Sequence, residues 1–153
     1  MKVISGTLKG RKIEGYNIDG TRPTMDRVKE SLFGIIQNNI KDSIVLDLFS
    51  GSGAIGIEFL SRGCKKAFLC DKSKNAINMI YQNLEKTRLT ENATVLNTDF
   101  QKCLQDLAKK GITFDIIYID PPYKDDIAVE SVKMIFLFLL NLVSIFENLC
   151  SAL

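Results

Sequence analysis

The sequence predicts an α/β protein built on a doubly wound, mainly parallel sheet. Three observations carry that expectation. Short apolar runs alternate with helical patterns along residues 44–119, at the spacing that strand–helix–strand crossovers need. A glycine turn, Gly51-x-Gly53-x-x-Gly56, joins the first of those runs to the first of those helices. That order lets backbone N–H groups at a helix start approach a ligand closely. Finally, four consecutive runs end in or lead to an aspartate: Asp47, Asp71, Asp99 and Asp120. Open parallel sheets bind ligands at the carboxyl ends of their strands, where those aspartates fall.

The chain has 153 residues, a length that suggests one domain with a real core. A quarter of its residues are charged and 46% are apolar, as in ordinary soluble proteins. A net charge of +2 does not by itself require a nucleic-acid partner. Its distribution says more, because residues 1–30 carry seven basic against four acidic side chains. Histidine is absent, and Cys64, Cys70, Cys103 and Cys150 show no CxxC spacing, so neither a zinc site nor any other metal is expected. The cysteines read as reduced core thiols of a cytoplasmic protein, and no apolar signal core follows the first residues. Without histidine, chemistry must run on carboxylates, backbone groups and a reactive cofactor.

The elements are expected in order. Val3-Ile4-Ser5 and Lys12-Ile13-Glu14 flank Gly6 and Gly10, which suggests a short hairpin with Lys9, Arg11 and Lys12 at its tip. That tip is either a phosphate-contacting prong or part of a frayed arm with solvated charges. Thr24 is placed as the N-cap of a helix with Val28, Leu32, Ile35 and Ile36 on its apolar face and Asp26 in its first turn. Strands are expected at 44–49, 67–70, 94–96 and 114–119, and helices at 54–62 and 100–109. Between the second and third strands, Ser73 caps a helix with Ile77, Ile80, Tyr81 and Leu84 on one face.

Several of these residues point to chemistry. Asp47 stands four residues before Gly51, where a carboxylate repels a pyrophosphate but tolerates a cofactor with positive charge, such as an aminoacyl sulfonium. Asp71 follows Gly51 by twenty residues, the offset at which an acid accepts hydrogen bonds from ribose hydroxyls. Asp99 suits either an adenine amine or the start of the next helix. Asp120-Pro121-Pro122-Tyr123 is the most specific stretch. Its prolines offer carbonyl acceptors and no N–H, beside a carboxylate, which suits a planar exocyclic amine. Tyr123 offers a ring face to a base flipped from its stack.

Asp47-Leu-Phe-Ser-Gly-Ser-Gly-Ala-Ile-Gly56 with Asp120-Pro-Pro-Tyr123 resembles the S-adenosylmethionine-dependent amino-methyltransferases. Ile4-Ser-Gly-Thr-Leu-Lys-Gly-Arg11 and Arg22-Pro-Thr-Met-Asp-Arg-Val-Lys-Glu-Ser-Leu-Phe33 narrow the likeness to the RsmD-type family, over about residues 1–125. The resemblance implies a Rossmann-like methyltransferase fold with an N-terminal hairpin and helix extension. It also implies methylation of a guanine N2 in bacterial small-subunit (16S) ribosomal RNA, within an assembled or assembling subunit, by a monomer.

The site residues follow from the same likeness. The segment from Asp47 to Gly56, with Asp47, Phe49, Gly51, Gly53 and Gly56 as its site residues, would hold the methionine part of S-adenosylmethionine, Asp71 its ribose and Asp99 its adenine. Asp120 and the Pro121 carbonyl would orient the guanine amine and Tyr123 would stack on the base. Arg22 and Thr24 would border the cleft, and Lys9, Arg11 and Lys12 would meet RNA phosphates.

The chain is thus expected to form one methyltransferase domain, with residues 1–40 as an extension, 41–125 as the core and 126–153 as an atypical apolar tail. After Tyr123 the likeness fades into Met134-Ile-Phe-Leu-Phe-Leu-Leu-Asn-Leu-Val-Ser-Ile-Phe146, too short for an ordinary membrane span. The C-terminal strands are therefore expected to be missing or altered. Three alternatives remain open at this point: a DNA adenine or cytosine amino-methyltransferase, an NAD-dependent dehydrogenase, and an inactive cofactor-binding or RNA-binding remnant.

Overall fold

A computed structural model describes residues 1–15, 22–121 and 127–138, with the side chains of residues 22–26 outside that description. Helix α1 (Arg22–Ile36) is followed by β1 (Ile44–Asp47), α2 (Ala54–Ser61), β2 (Lys66–Asp71) and α3 (Lys74–Thr87). Then come β3 (Ala93–Asn97), α4 (Phe100–Lys109), β4 (Ile116–Tyr118) and α5 (Ile127–Phe138). The four strands form one parallel sheet in the order β3-β2-β1-β4. The order reverses beside β1, so the loops leaving β1 and β4 part there and leave a crevice at the strands' carboxyl ends.

Alternation along the strands builds a core on each face. Val45, Ala67 and Leu69 face a layer holding Phe33, Ile57, Phe59, Ile77, Ile80 and Leu84, from α1, α2 and α3. Leu46, Phe68 and Cys70 face the opposite layer, with Cys103, Leu104 and Leu107 of α4 and Ile135 of α5. The last strand is shorter than its apolar run. Phe114 leaves the ladder but packs edge-on against Phe68, with ring centroids 5.3 Å apart, and Ile119 joins the same layer. The apolar run thus records burial beyond the strand's hydrogen-bonded part.

Two helices differ from expectation. The first begins at Arg22, so Thr24 lies inside it and is not its N-cap, and Asp26 falls beyond its first turn. Pro23 explains the early start, since its missing N–H is one that a first turn leaves unpaired anyway. The inward stripe of α1 is also shifted. Phe33 is fully buried edge-on against Phe59 at 4.7 Å, and Lys29, one turn earlier, is buried with it. Val28 and Ile35, expected on the apolar face, are 61% and 82% exposed. The buried stem of a lysine displaced apolar residues from the expected stripe. In α3, Tyr81 is 45% exposed, and Asn83 and Thr87 complete the buried face.

The N-terminal residues form an irregular hairpin rather than a frayed arm. Val3 N–H donates to the Arg11 carbonyl at 2.9 Å and Ile13 N–H to Met1 at 3.0 Å, around an antiparallel bridge between Lys2 and Lys12. Val3 and Ile13 are buried. The hairpin lies along α2, where fully buried Glu58 accepts the Ile4 and Ser5 N–H groups at 2.8 and 3.0 Å. Gly6 is required by space as well as by its φ of +81°, because a Cβ there would sit 1.9 Å from the Ser61 carbonyl oxygen.

Cys64, Cys70 and Cys103 are buried free thiols, while Cys150 lies outside the described residues. The Cys103 thiol beside it and burial both push the Cys70 thiol far up, so it stays protonated. Of the apolar run within the tail, Met134–Phe138 is helical in α5, and the remainder lies outside the described residues. Among the described residues no helix is long and apolar enough to cross a membrane.

Candidate functional site

A cleft of about 390 Å³ opens at the carboxyl ends of the strands. Its walls come from the loop after β1 (Leu48, Phe49, Gly51), the end of β2 (Asp71, Lys72) and the start of α4 (Thr98, Asp99, Phe100, Gln101). Asp120 after β4 and Ile127 at the start of α5 complete it. Phe49 and Phe100 lie 5.5 Å apart, so two tilted rings form an apolar wall between the acidic groups. That size, with apolar walls and a few polar groups, suits a small organic ligand.

The loop after β1 is anchored on both sides. Leu48 N–H donates to the Tyr118 carbonyl at 3.1 Å, and Ser50 N–H to the Cys70 carbonyl at 2.9 Å. Gly51, with φ +54°, donates its N–H to Asp71 Oδ2 at 2.9 Å. Asp71 Oδ1 meanwhile accepts the Ser73 N–H at 2.8 Å. Asp71 therefore pins the glycine loop to the start of α3 with one lone pair of each oxygen, which leaves the others open to the cleft.

The three glycines divide their work. Only Gly51 lines the cleft. Gly53 has φ +78° and is the N-cap of α2, a conformation that favours glycine. Gly56 faces away, and a Cβ there would stand 2.6 Å from Leu69 Cδ2. It lets α2 lie close to β2.

Asp47 also stays out of the cleft wall. Its side chain is buried behind the loop, and neither carboxylate oxygen makes a hydrogen bond. Burial pushes its pKa up to about 7. The nearby Gly56 amide and Ser50 hydroxyl oppose that shift, while the Asp120 and Asp71 charges add to it. Asp99 caps α4, accepting the Lys102 N–H at 3.0 Å, and faces the cleft as well, so its two sequence readings coexist. Asp120 is exposed at the cleft, with the Tyr118 hydroxyl 3.4 Å from Oδ2, a long contact.

The expected site residues are thus only partly brought together. Gly51, Phe49, Asp71, Asp99 and Asp120 share one cleft, with Pro121 next in chain. Gly53, Gly56 and Asp47 support it from behind. Lys9, Arg11 and Lys12 are exposed on the hairpin. The side chains of Arg22 and Thr24, and Tyr123 as a whole, lie outside the described residues. Lys72, Thr98, Phe100, Gln101 and Ile127 line the cleft without having been expected there. Phe100 carried a signal, since it follows Asp99 directly, just as Phe49 follows Asp47-Leu48.

The chemistry of this donor set favours a cationic ligand with adenosine-like parts. Asp71, Asp99 and Asp120 face the cleft against one lysine, Lys72, and Asp47 lies behind with two unpaired acceptor atoms. A pyrophosphate would meet carboxylates where it needs donors. A ligand with ammonium or sulfonium charge meets complementary potential, and its hydroxyls and ring find acceptors beside aromatic walls. S-adenosylmethionine fits that description. Among the described residues no group of three or more His, Cys, Asp or Glu is placed to hold a metal ion.

Comparison with known proteins places the chain among methyltransferases. Residues 1–140 match the family model described as "Conserved hypothetical protein 95". The chain is 42% identical over 125 residues to "Putative rRNA methyltransferase YlbH" of Bacillus subtilis, covering 82% of this chain and 68% of that protein. It is 36% identical over 139 residues to "Ribosomal RNA small subunit methyltransferase D" of Haemophilus influenzae, covering 88% and 70%. Among solved structures, "Putative methyltransferase yhhF from Escherichia coli" superposes with a TM-score of 0.77 at 32% identity, over 88% of this chain and 71% of that one.

Proposed function

The chain belongs to the RsmD family of methyltransferases, and from that premise we propose that it methylates the exocyclic N2 amine of a guanine in bacterial small-subunit (16S) ribosomal RNA. The methyl donor is S-adenosylmethionine, which when bound supplies a methyl group already activated by its sulfonium. One observation carries the reading to this chain: Asp120 opens into the same cleft as Gly51, Asp71 and Asp99. A carboxylate able to hold an amine therefore borders the space suited to the donor.

On this reading each residue has a task. The loop from Leu48 to Gly51 cradles the donor, Asp71 accepts from its ribose, and Asp99 and Phe100 flank its adenine. Asp47 supplies negative charge from behind. The guanine N2 lone pair is delocalised into the ring and must be localised before it can attack. Asp120 and the Pro121 carbonyl accept hydrogen bonds from the amine, orient it, and stabilise the positive charge that grows on nitrogen. The surplus proton then leaves to Asp120 or to water. Histidine has no part in such a scheme, and the chain has none.

Tyr123 would stack on the flipped base, and Arg22 and Thr24 would border the cofactor and substrate cleft. Lys9, Arg11 and Lys12 contact phosphates, which position RNA without reading it. Residues 1–40 then form the RNA-facing extension and 41–125 the cofactor and catalytic core. The enzyme works as a cytoplasmic monomer on an assembled or assembling subunit.

The test is methyl transfer from tritiated S-adenosylmethionine to small subunits and to plasmid DNA, with the wild type and Asp120→Ala. Label is expected in RNA alone, with the variant slower by about 10²-fold or more, the scale of losing one preorganised electrostatic group. Label in DNA alone overturns the RNA assignment. An unimpaired variant overturns the role of Asp120.

A further inference from the structure

We propose that Asn83 is a positioning residue that couples the N-terminal hairpin to the cofactor loop. In consequence, binding in the cleft and docking of the RNA-facing hairpin reinforce one another. The inference rests on the function proposed above, and it concerns a residue that this function leaves unused.

Asn83 sits in the middle of α3, fully buried. Its Oδ1 accepts the Glu14 N–H at 2.7 Å, and its Nδ2 donates to the Glu14 carbonyl at 3.0 Å. This side-chain amide thus pairs with both backbone groups of one residue, as a neighbouring strand would. The remaining Nδ2 hydrogen goes to the Ser52 carbonyl at 2.9 Å. Ser52 lies between Gly51, which lines the cleft, and Gly53, the N-cap of α2. One planar group therefore holds the end of the hairpin and the centre of the cofactor loop together, with both donor hydrogens committed.

Other contacts reinforce the junction. The Ser52 hydroxyl lies 3.9 Å from Met1 Sδ, so the first residue of the hairpin also touches the loop. Lys86, one turn along α3 from Asn83, pairs with Glu14 at 2.9 Å. That exposed ion pair is worth little, so the buried amide carries the coupling.

The functional consequence follows from shared rigidity. A loop braced by a bound ligand presents a fixed Ser52 carbonyl to Asn83, which in turn fixes Glu14 and the hairpin's open end. Burial makes each of these bonds costly to lose, because the separated amide and carbonyl groups would remain away from water. By linkage, an ordered hairpin strengthens binding in the cleft by the same factor.

The test uses S-adenosylhomocysteine as the probe, with calorimetry and amide hydrogen exchange on the full chain. In the wild type, the ligand is expected to slow exchange at the hairpin amides of Val3, Gly10 and Ile13, none of which lines the cleft. Asn83→Asp keeps the acceptor and loses both donors. It is expected to weaken ligand binding about tenfold and to abolish the hairpin's response. Asn83→Ser takes its place if the carboxylate prevents folding. Lys86→Ala, which removes only the exposed ion pair, is expected to leave affinity and exchange as in the wild type. A wild type that binds no S-adenosylhomocysteine defeats the cofactor reading. A wild type that binds it with no change at the hairpin amides defeats the coupling alone.

Discussion

Asp47 carries a structural cost and, on the proposed function, a use in the site. Its carboxylate is buried without a hydrogen bond, and burial holds its pKa at about 7 against a reference of 3.8. Between those values the folded chain keeps a proton that the unfolded chain has released. Its contribution to stability is therefore complete below about pH 4 and is lost as pH rises through about 7. The loss is on the order of 4 kcal/mol for a difference of this size. A ligand carrying an ammonium group reverses the balance by favouring the ionised form. Asp47→Asn is accordingly expected to melt higher than the wild type at about pH 8 and to lose the wild type's fall in melting temperature between about pH 5 and pH 8. It should also bind S-adenosylhomocysteine much more weakly, an exchange of function for stability. Thermal melts at both pH values with calorimetry check this, and equal melting of the two proteins at about pH 8 would contradict the buried-charge account. The sequence supplied the clue to this residue, an acid four positions before Gly51. It could not show that the carboxylate lies behind the loop, because burial depends on α2 folding back over it.

The hairpin and α2 stabilise each other through Glu58. Both oxygens of this buried carboxylate accept hairpin N–H groups, and Oε1 also accepts from Arg62 Nε at 2.8 Å. The Arg62 guanidinium in turn lies 4.5 Å from the centre of the Phe33 ring, which brings α1 into the same cluster. Glu58→Ala should leave Arg62 and two peptide N–H groups without their partner and cost about 3–5 kcal/mol, as breaking other buried pairs does. Urea denaturation measures that cost, and hydrogen exchange should show Ile4 and Ser5 opening first. A loss under about 1 kcal/mol would mean that the hairpin is not held this way. The strands and the caps of α3 and α4 were legible in the sequence, because apolar alternation and Ser73 and Asp99 are local signals. The attachment of the hairpin was not. Glu58 and Asn83 are polar residues on otherwise buried helix faces, and a periodicity argument treats them as interruptions. Their partners in the hairpin stand more than fifty residues away, so only the folded chain reveals that attachment.

The geometry of the whole molecule separates its basic tip from its cleft. The open end of the hairpin meets Ser52 near the start of α2, whereas Thr7 and Leu8 meet Ser61 at the far end of that helix. Eight residues of helix place those two ends about 12 Å apart. The turn at Gly6–Gly10, with Lys9 and Arg11 exposed beside it, therefore lies away from the cleft. On the proposed function, RNA phosphates bound there would belong to a part of the substrate that lies outside the cleft. Neutralising Lys9, Arg11 and Lys12 together should consequently weaken methylation of whole subunits far more than that of a short oligonucleotide that only fills the cleft. It should also lower the slope of log affinity against log salt by about 2–3 for the large substrate, close to one counterion per lost phosphate contact. Folding should be unaffected, since these side chains are exposed and the hairpin is fixed by backbone bonds. Paired measurements of kcat/KM and binding over a salt series decide the matter. Equal losses on both substrates would place the basic residues at the cleft itself, against the distance the fold imposes.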